Sequence, residues 1–193
     1  YKIDNNLLGV NGEVKIANKF AKYYCEVAKK QYSLIRPMKI LLLEKLRTME
    51  LQQDLKFRTA TLEDKQQLIQ YIKEFENEAL NQKISNEDLN NKFNLYFEKG
   101  YYVLEKDGKV VSQATFARNL LKGKCISGVY TPKEERGKGY AYTLVYTLSK
   151  KCLDEGAEYC VLYTDANYPI SNHIYEKIGY VPKTECEELE FYE

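Results

Sequence analysis

Apolar positions follow different spacings along the chain, and the changes in spacing divide it into elements. Between residues 12 and 30 they recur every three or four positions, which is typical of an amphipathic helix. Pro37 closes an irregular stretch, and 38–46 (MKILLLEKL) is too short for periodicity to separate a strand from a buried helix; we favour a strand. The polar segment 47–56 predicts a linker and therefore a domain boundary. We place the boundary between residues 54 and 55.

The segment 55–193 is predicted to form the main domain, with residues 1–54 as an N-terminal segment of helix and strand. A strand over 56–60 leads to Thr61 and Asp64, whose spacing is that of a capping box. A helix is expected to follow, ending near Phe75. A second helix is predicted over 85–100, because Ser85 and Asp88 repeat the capping spacing and Gly100 suits a helix end.

The period then changes to that of strands. In 101–118 two apolar runs flank Asp107-Gly108, a strong hairpin signal because both residues tolerate positive φ. The elements predicted next are a strand over 124–131, a helix over 138–154, a strand over 159–164, a helix over 170–178 and a strand over 180–192. From residue 56 the order is β-α-α-β-β-β-α-β-α-β, which predicts an α/β (α+β) fold with helices on both faces of a mixed sheet.

Composition narrows the classes of function. The chain has 193 residues, enough for one well-buried domain, and its 29 Lys+Arg against 28 Asp+Glu argue against a general nucleic-acid binder. The longest apolar run, 40–43, is far too short to cross a bilayer, so no membrane span is predicted. The first residues, YKIDNN, show no signal peptide and are typical of a fragment. The five cysteines are scattered without C-x-x-C spacing, which predicts reduced thiols in a cytoplasmic protein and no metal site.

The segment 136–139 (RGKG) lies where a polar loop gives way to a predicted helix. The free amides at a helix N-terminus attract anions, and Gly137 and Gly139 lack the Cβ atoms that would keep a bulky ligand away. Arg136 and Lys138 add positive charge. A plain turn explains the pattern equally well.

Two nucleotide-binding alternatives fail against the sequence. A P-loop requires Lys and then Ser or Thr after its last glycine, whereas Gly139 precedes Tyr140 and Ala141. A dinucleotide-binding loop requires a third glycine at the position of Tyr142. Two interpretations stay open at this point, a plain turn and a loop that binds the pyrophosphate of coenzyme A.

Two motifs in order, within 129–164 and 167–182, resemble the GCN5-related N-acetyltransferase (GNAT) superfamily. In that superfamily R-G-x-G-x-A opens the helix that holds the coenzyme A pyrophosphate, and here Arg136 begins this motif. The second signature is matched by Asn167, Ser171, Tyr175 and Gly179-Tyr180. Glu134 stands where the family prefers Gln or Arg. The chain also looks like a bacterial-type subgroup with an additional N-terminal lobe, which residues 1–50 would represent in part.

The resemblance implies a GNAT-like fold with a mostly antiparallel sheet, acetyl-CoA as co-substrate, and direct transfer of the acetyl group to an amine. It assigns Tyr175 to protonation of the departing sulfur and the Thr131 amide to the thioester oxygen. The residues it assigns to cofactor binding are Val129, Tyr130, Thr131, Arg136, Gly137, Lys138, Gly139, Tyr140, Ala141, Asn167, Ser171 and Asn172.

The general base is not fixed by the sequence. Asp165 ends its strand at the expected cleft, but we favour a role in capping the turn before Asn167. The spacing of residues assigns no acid and no nucleophile as catalytic partners of His173. A packing or solvent-facing role is therefore favoured for this side chain. A coenzyme A-binding module without catalysis, regulatory or structural, therefore remains an alternative, and an interaction domain is a third. The identity of the amine acceptor and the oligomeric state stay open.

Overall fold

The computed structural model describes residues 4–48 and 50–193, which form an eight-stranded sheet flanked by helices. The strands are β1 (Gly9–Glu13), β2 (Gln31–Leu43), β3 (Lys56–Thr59), β4 (Tyr101–Lys106), β5 (Lys109–Asn119), β6 (Gly123–Tyr130), β7 (Tyr159–Asp165) and β8 (Val181–Tyr192). The α-helices are α1 (Val14–Ala28), α2 (Lys65–Ala79), α3 (Asn86–Lys99), α4 (Tyr140–Asp154) and α5 (Pro169–Ile178). Short 3-10 turns cover Leu62–Asp64 and Lys133–Glu135.

The strand order in the sheet is β1-β8-β2-β7-β6-β5-β4-β3. Every neighbouring pair is antiparallel except β6 and β7, which run parallel. This confirms the predicted mixed, mostly antiparallel sheet. From residue 56 onward, the observed order of strands and α-helices also matches the predicted one.

The sheet separates two apolar layers because successive strand residues point to opposite faces. On β4, Val103 packs in the layer beneath α2 and α3, and Leu104 packs in the layer beneath α4 and α5. A third, smaller cluster joins α1 to the end of β8, with the rings of Tyr24 and Phe191 tilted against each other at a centroid distance of 4.6 Å. The two large layers therefore place α2 and α4 on opposite sides of β6.

The N-terminal segment differs from its prediction. The sequence did not predict β1. The prediction of an irregular stretch before Pro37 is wrong, because β2 starts at Gln31 and passes through the proline. The carbonyl of Pro37 accepts a hydrogen bond from the Ala166 amide at 2.9 Å, on the β7 side. The missing proline N–H faces that same side, one residue beyond the last β2–β7 pair at Met38, so the β2–β8 pairing through Pro37 and the β2–β7 pairing from Met38 are not interrupted.

β2 lies between β7 and β8 and pairs with both. Residues 1–54 thus contribute two strands to the sheet formed by the rest of the chain. The described part of the segment 44–55 contains no helix or strand, as expected for a linker. The division into residues 1–54 and 55–193, and the additional N-terminal lobe, stay predictions.

Local signals were accurate in the segment after residue 56. The Thr61 amide donates to Asp64 Oδ2 at 2.8 Å, which confirms the capping box, although a 3-10 turn precedes α2 and the helix ends at Ala79 rather than near Phe75. Asp107 and Gly108 have φ of 50° and 77°, as a tight hairpin of this type requires.

Gly179 ends α5 at a point where no side chain fits. Its φ is +121°, and a Cβ there would lie 2.8 Å from the backbone oxygen of Lys45. We expect Gly179→Ala to lower the free energy of unfolding by about 2–4 kcal/mol, measured by urea denaturation, because backbone strain and a backbone clash add together. Gly156→Ala is the control: its φ is +96° with nothing within 4 Å, so only the strain, about 1 kcal/mol, should appear. Equal losses in the two variants would contradict the clash.

Candidate active site

A gap opens between β6 and β7. Their parallel pairing runs from Gly123 opposite Tyr159 to Ile126 opposite Leu162 and stops there. Both strands continue, β6 to Tyr130 and β7 to Asp165. The ends of the two strands therefore diverge, and backbone groups along residues 127–130 face the gap without a β7 partner. Such an edge suits an extended ligand that binds through backbone hydrogen bonds.

The loop after β6 leads from this gap to the N-terminus of α4. Gly137 and Gly139 have φ of 79° and 81°, a left-handed conformation that favours glycine. Gly139 is the N-cap residue, and no side chain caps the helix. A Cβ at Gly137 would meet nothing within 4 Å, and one at Gly139 would meet only Gln52 Nε2 at 3.6 Å. The first-turn amides of α4, from Tyr140 and Ala141, thus have no side-chain cap and suit an anion.

The two cations of the loop are bound to carboxylates rather than left free. Arg136 donates from Nη2 to Glu78 Oε2 at 2.7 Å and from Nε to the Thr131 carbonyl at 2.9 Å. Lys138 pairs with Glu135 at 2.8 Å. In this arrangement the backbone amides, not the cationic side chains, are the groups most available to a phosphate.

Residues 129 and 130 of β6 point to opposite faces of the sheet. Val129 packs against the layer beneath α4, whereas Tyr130 lies in the layer beneath α2. The Tyr130 hydroxyl lies within hydrogen-bond distance of Glu74 Oε2 at 3.0 Å and Glu78 Oε1 at 3.1 Å. Burial and these carboxylates raise the pKa of Tyr130, so its phenol stays protonated and donates.

The sequence only weakly indicates the contact of Tyr130 with Glu74 and Glu78. Glu74 and Glu78 share a helix face at a spacing of four, which is visible, but nothing local indicates that the face meets Tyr130. Burial alone would raise the pKa of Glu78, but Arg136, Tyr130 and Lys133 together hold that pKa below its ordinary value. Glu78 is therefore ionised at neutral pH.

The opposite wall of the gap comes from the start of α5. Ser171 Oγ lies 3.0 Å from Thr164 Oγ1 and donates to the Tyr168 carbonyl at 3.1 Å. Asn172 donates from Nδ2 to the Asp165 carbonyl at 3.2 Å, while its buried Oδ1 accepts no hydrogen bond within the described chain. A buried acceptor without a donor is uncommon. It fits a ligand with an N–H group, such as the amides of the pantetheine arm.

Asp165 caps the turn before Asn167, as expected. Its Oδ1 accepts the backbone amide of Asn167 at 2.8 Å. This bond leaves the Asn167 side chain, rather than its amide, for any ligand. It also occupies one oxygen of the carboxylate that the sequence offered as a base.

Tyr175 lies on α5 in the apolar layer beneath α4 and α5, with only 8% of its surface exposed. Its ring packs edge-on against Tyr180 at a centroid distance of 6.0 Å. Burial raises the pKa of Tyr175 to about 12. The phenol thus keeps its proton across the whole physiological range, as a proton donor must.

Nothing in the sequence indicates that the linker contacts this site. Gln52 donates from Nε2 to the Lys138 carbonyl at 3.1 Å, beside Gly139. Asp54 pairs with Lys106 at 3.0 Å, on the hairpin between β4 and β5. These contacts join segments that are far apart in sequence, so only the folded chain shows them.

Within residues 4–48 and 50–193, no helix combines the length and apolar character needed to cross a membrane. In the same part of the chain, no group of three or more His, Cys, Asp and Glu side chains is placed to hold a metal ion. All five cysteines are buried and unpaired.

Solved structures of similar fold are numerous. A Drosophila protein shares 12% identity, with a TM-score of 0.74 over 99% of this chain and 63% of its own. A GCN5-related N-acetyltransferase from Kribbella flavida shares 18% identity, with a TM-score of 0.63 over 94% of this chain and 68% of its own. A predicted acetyltransferase from Clostridium acetobutylicum, solved with acetyl-CoA, shares 16%, with a TM-score of 0.54 over 67% and 91%. This chain thus spans about two thirds of the length of the first two.

These identities are low, and they establish similarity of fold only. No curated protein matches the chain. The model of the Acetyltransferase (GNAT) family matches residues 65–180, which include the gap, the glycine loop and Tyr175. The chain therefore belongs to the GNAT acetyltransferase family.

Proposed function

We propose that this protein is an N-acetyltransferase that uses acetyl-CoA and transfers the acetyl group directly to an amine. One observation supports the proposal above the others: the gap between β6 and β7 leads to the uncapped N-terminus of α4. An extended arm with a charged pyrophosphate requires both features, an open strand edge and a row of free amides.

In this proposal the cofactor lies along the loop and the gap. The backbone from Gly137 to Ala141 binds the pyrophosphate, with Arg136 and Lys138 contributing positive charge from their ion pairs. Backbone groups of Val129, Tyr130 and Thr131 bind the pantetheine arm from one side. Asn167, Ser171 and Asn172 bind it from the other, where Asn172 Oδ1 has no donor in the described chain.

Acetyl-CoA supplies a thioester carbonyl for attack by the amine and a sulfur that departs with the electrons of the broken C–S bond. The Thr131 amide donates to the carbonyl oxygen, where negative charge develops in the transition state. Tyr175 holds the proton that the sulfur takes, since its raised pKa keeps the hydroxyl protonated. The amine must reach this point in its neutral form. When the C–N bond has formed, its nitrogen loses one proton, and this proton returns through solvent to Tyr175.

The direct test is calorimetric titration of the purified protein with acetyl-CoA, coenzyme A and ATP. We expect micromolar binding of acetyl-CoA and coenzyme A and no binding of ATP. Release of free thiol from acetyl-CoA in the presence of primary amines would then establish transfer. Absence of acetyl-CoA binding would refute the proposal.

A second candidate is a coenzyme A-binding module without catalysis. The observation in its favour is that Asp165, the carboxylate at the gap, already accepts the Asn167 amide at 2.8 Å. Binding of acetyl-CoA without thiol release, across a broad range of amines, would favour this alternative.

A further inference from the structure

A cavity of about 500 Å³ lies beside α2, against the segment that leads to α3. Its wall includes Gln70, Lys73, Glu74, Asn77, Lys83 and Ile84, and we call it the α2 cavity. Its volume is within the range of small-molecule sites. The surface of this wall is mainly apolar, with charged and amide groups at a few points, so the cavity suits a small organic ligand that carries charged groups.

Glu74 is the acidic residue of this wall, and its charge is not neutralised. On the same helix, Glu76 pairs with Lys92, and Glu78 pairs with Arg136. Within the described chain, no Lys or Arg nitrogen lies within 4.0 Å of the Glu74 carboxylate. Gln70 Nε2 donates to its Oε1 at 2.8 Å, and the Tyr130 hydroxyl donates to its Oε2 at 3.0 Å. These neutral donors fix the orientation of the carboxylate.

The cations of the wall are also without partners. Neither Lys73 nor Lys83 forms an ion pair with a carboxylate of the described chain. The α2 cavity therefore presents one anion and two cations with no partner from the described chain. A ligand that matches this pattern has a cationic amine and an anionic group on one small molecule.

Tyr130 connects the cavity to the gap. Its backbone belongs to the last residue of β6, at the open edge, and its hydroxyl reaches Glu74. An ammonium held by Glu74 is thus separated from the strand edge by one tyrosine side chain. The hydrogen-bonded pair of Tyr130 and Glu74 orients the carboxylate between the two sites.

We propose that the α2 cavity is the acceptor site and that the acceptor is an amino acid or a similar small zwitterion. In the bound acceptor the ammonium pairs with Glu74 and the carboxylate with Lys73 and Lys83, and the amine must then lose a proton and move past the Tyr130 ring to attack the thioester. The proposal rests on the acetyltransferase function proposed above and names the class of substrate for it. Glu74 acts here as a residue that determines specificity.

The first experiment measures binding without any reaction. Each of the 20 standard amino acids is titrated into the protein saturated with coenzyme A, and into the free protein, while backbone amide NMR signals are followed. We expect saturable shifts concentrated in residues 70–84 for at least one amino acid, and at least tenfold weaker binding for its methyl ester and for the amine that lacks its carboxylate. Equal binding of the ester and the free acid, or no binding of any amino acid, would overturn the proposal.

The variants then assign the two charges. We expect Glu74→Gln to weaken amino-acid binding at least tenfold with the Kd for acetyl-CoA unchanged. The double variant Lys73→Gln, Lys83→Gln should remove the preference for the free acid over its ester. Lys19→Gln with Lys22→Gln, on the exposed face of α1, is the matched charge control and should keep that preference. Retention of the preference in the Lys73, Lys83 variant would overturn the assignment.

The same titrations separate this proposal from the function on which it rests. Failure of acetyl-CoA to bind would refute the acetyltransferase, whereas amino-acid binding at residues 70–84 is read independently of it. If acetyl transfer to simple amines is at least as fast as transfer to any amino acid, the proposed acetyltransferase function stands and the proposed zwitterionic acceptor is refuted.

Discussion

Replacing Tyr175 with phenylalanine is expected to lower kcat about 100-fold while the Kd for acetyl-CoA stays within about twofold of the wild type, as general acid catalysis contributes factors of this order. The substitution removes one hydroxyl and keeps the ring that packs against Tyr180. The departing sulfur then has no proton donor from α5. Thiol release at saturating acetyl-CoA and amine measures the effect, and calorimetry measures the Kd.

Tyr180→Phe is the matched control for this variant. Tyr180 is the packing neighbour of Tyr175, and its hydroxyl lies 2.8 Å from Ser149 Oγ, inside the core. Its loss should reduce stability by about 1 kcal/mol through the broken hydrogen bond and leave kcat close to the wild type. A similar loss of kcat in both variants would indicate a packing defect. An unchanged kcat in Tyr175→Phe would remove this residue from the mechanism.

The pKa of Tyr175 adds a second measurement. Because burial raises that pKa to about 12, the proton remains in place as the pH rises from 7 to 10. Over this interval the amine loses its own proton, so the rate at subsaturating amine should rise and then level off without a descending limb. A decline centred near pH 9 would indicate a different proton donor.

The sequence predicted the elements after residue 56 because their signals are local. A capping box such as Thr61 with Asp64 depends on two residues that lie three positions apart. A hairpin turn at Asp107-Gly108 depends on two adjacent residues. Both are satisfied within the segment itself, whatever surrounds it. The order of strands and helices could therefore be predicted correctly without knowledge of the partners of each strand.

The position of β2 could not be predicted in the same way. Its pairing partners, β7 and β8, begin more than a hundred residues later. A strand through Pro37 is unusual unless the missing N–H lies beyond the end of the ladder that it faces. That condition depends on where β7 ends. The tertiary arrangement thus overrides a local signal that argues against a strand.

The candidate site shows the same division. The glycine loop and the start of α4 are contiguous, so the sequence located them. The contacts of Glu74 and Glu78 with Tyr130 join α2 to β6, and the contact of Gln52 with Lys138 joins the linker to the loop. The sequence also indicated that Arg136 and Lys138 add positive charge to the loop, and only the folded chain shows that this charge is paired with Glu78 and Glu135.

Gly137→Val is expected to weaken acetyl-CoA binding at least tenfold, a loss of about 1.4 kcal/mol in binding free energy. A Cβ at Gly137 meets no protein atom within 4 Å, so the branched side chain projects into the space that the pyrophosphate is proposed to occupy. The same substitution forces a φ of +79° on a residue that disfavours it, which costs about 1–2 kcal/mol of stability. Binding and stability must therefore be measured separately, by calorimetry and by urea denaturation.

Gly156→Val separates the two effects, because Gly156 follows the other end of α4, has a φ of +96° and also has nothing within 4 Å. Its backbone strain is comparable, but any side chain there projects into solvent far from the glycine loop. If the loop binds the pyrophosphate, the two variants lose similar stability and only Gly137→Val loses affinity for acetyl-CoA. If both keep the wild-type affinity, the two glycines before α4 form only a turn, and the anionic part of the cofactor must bind elsewhere.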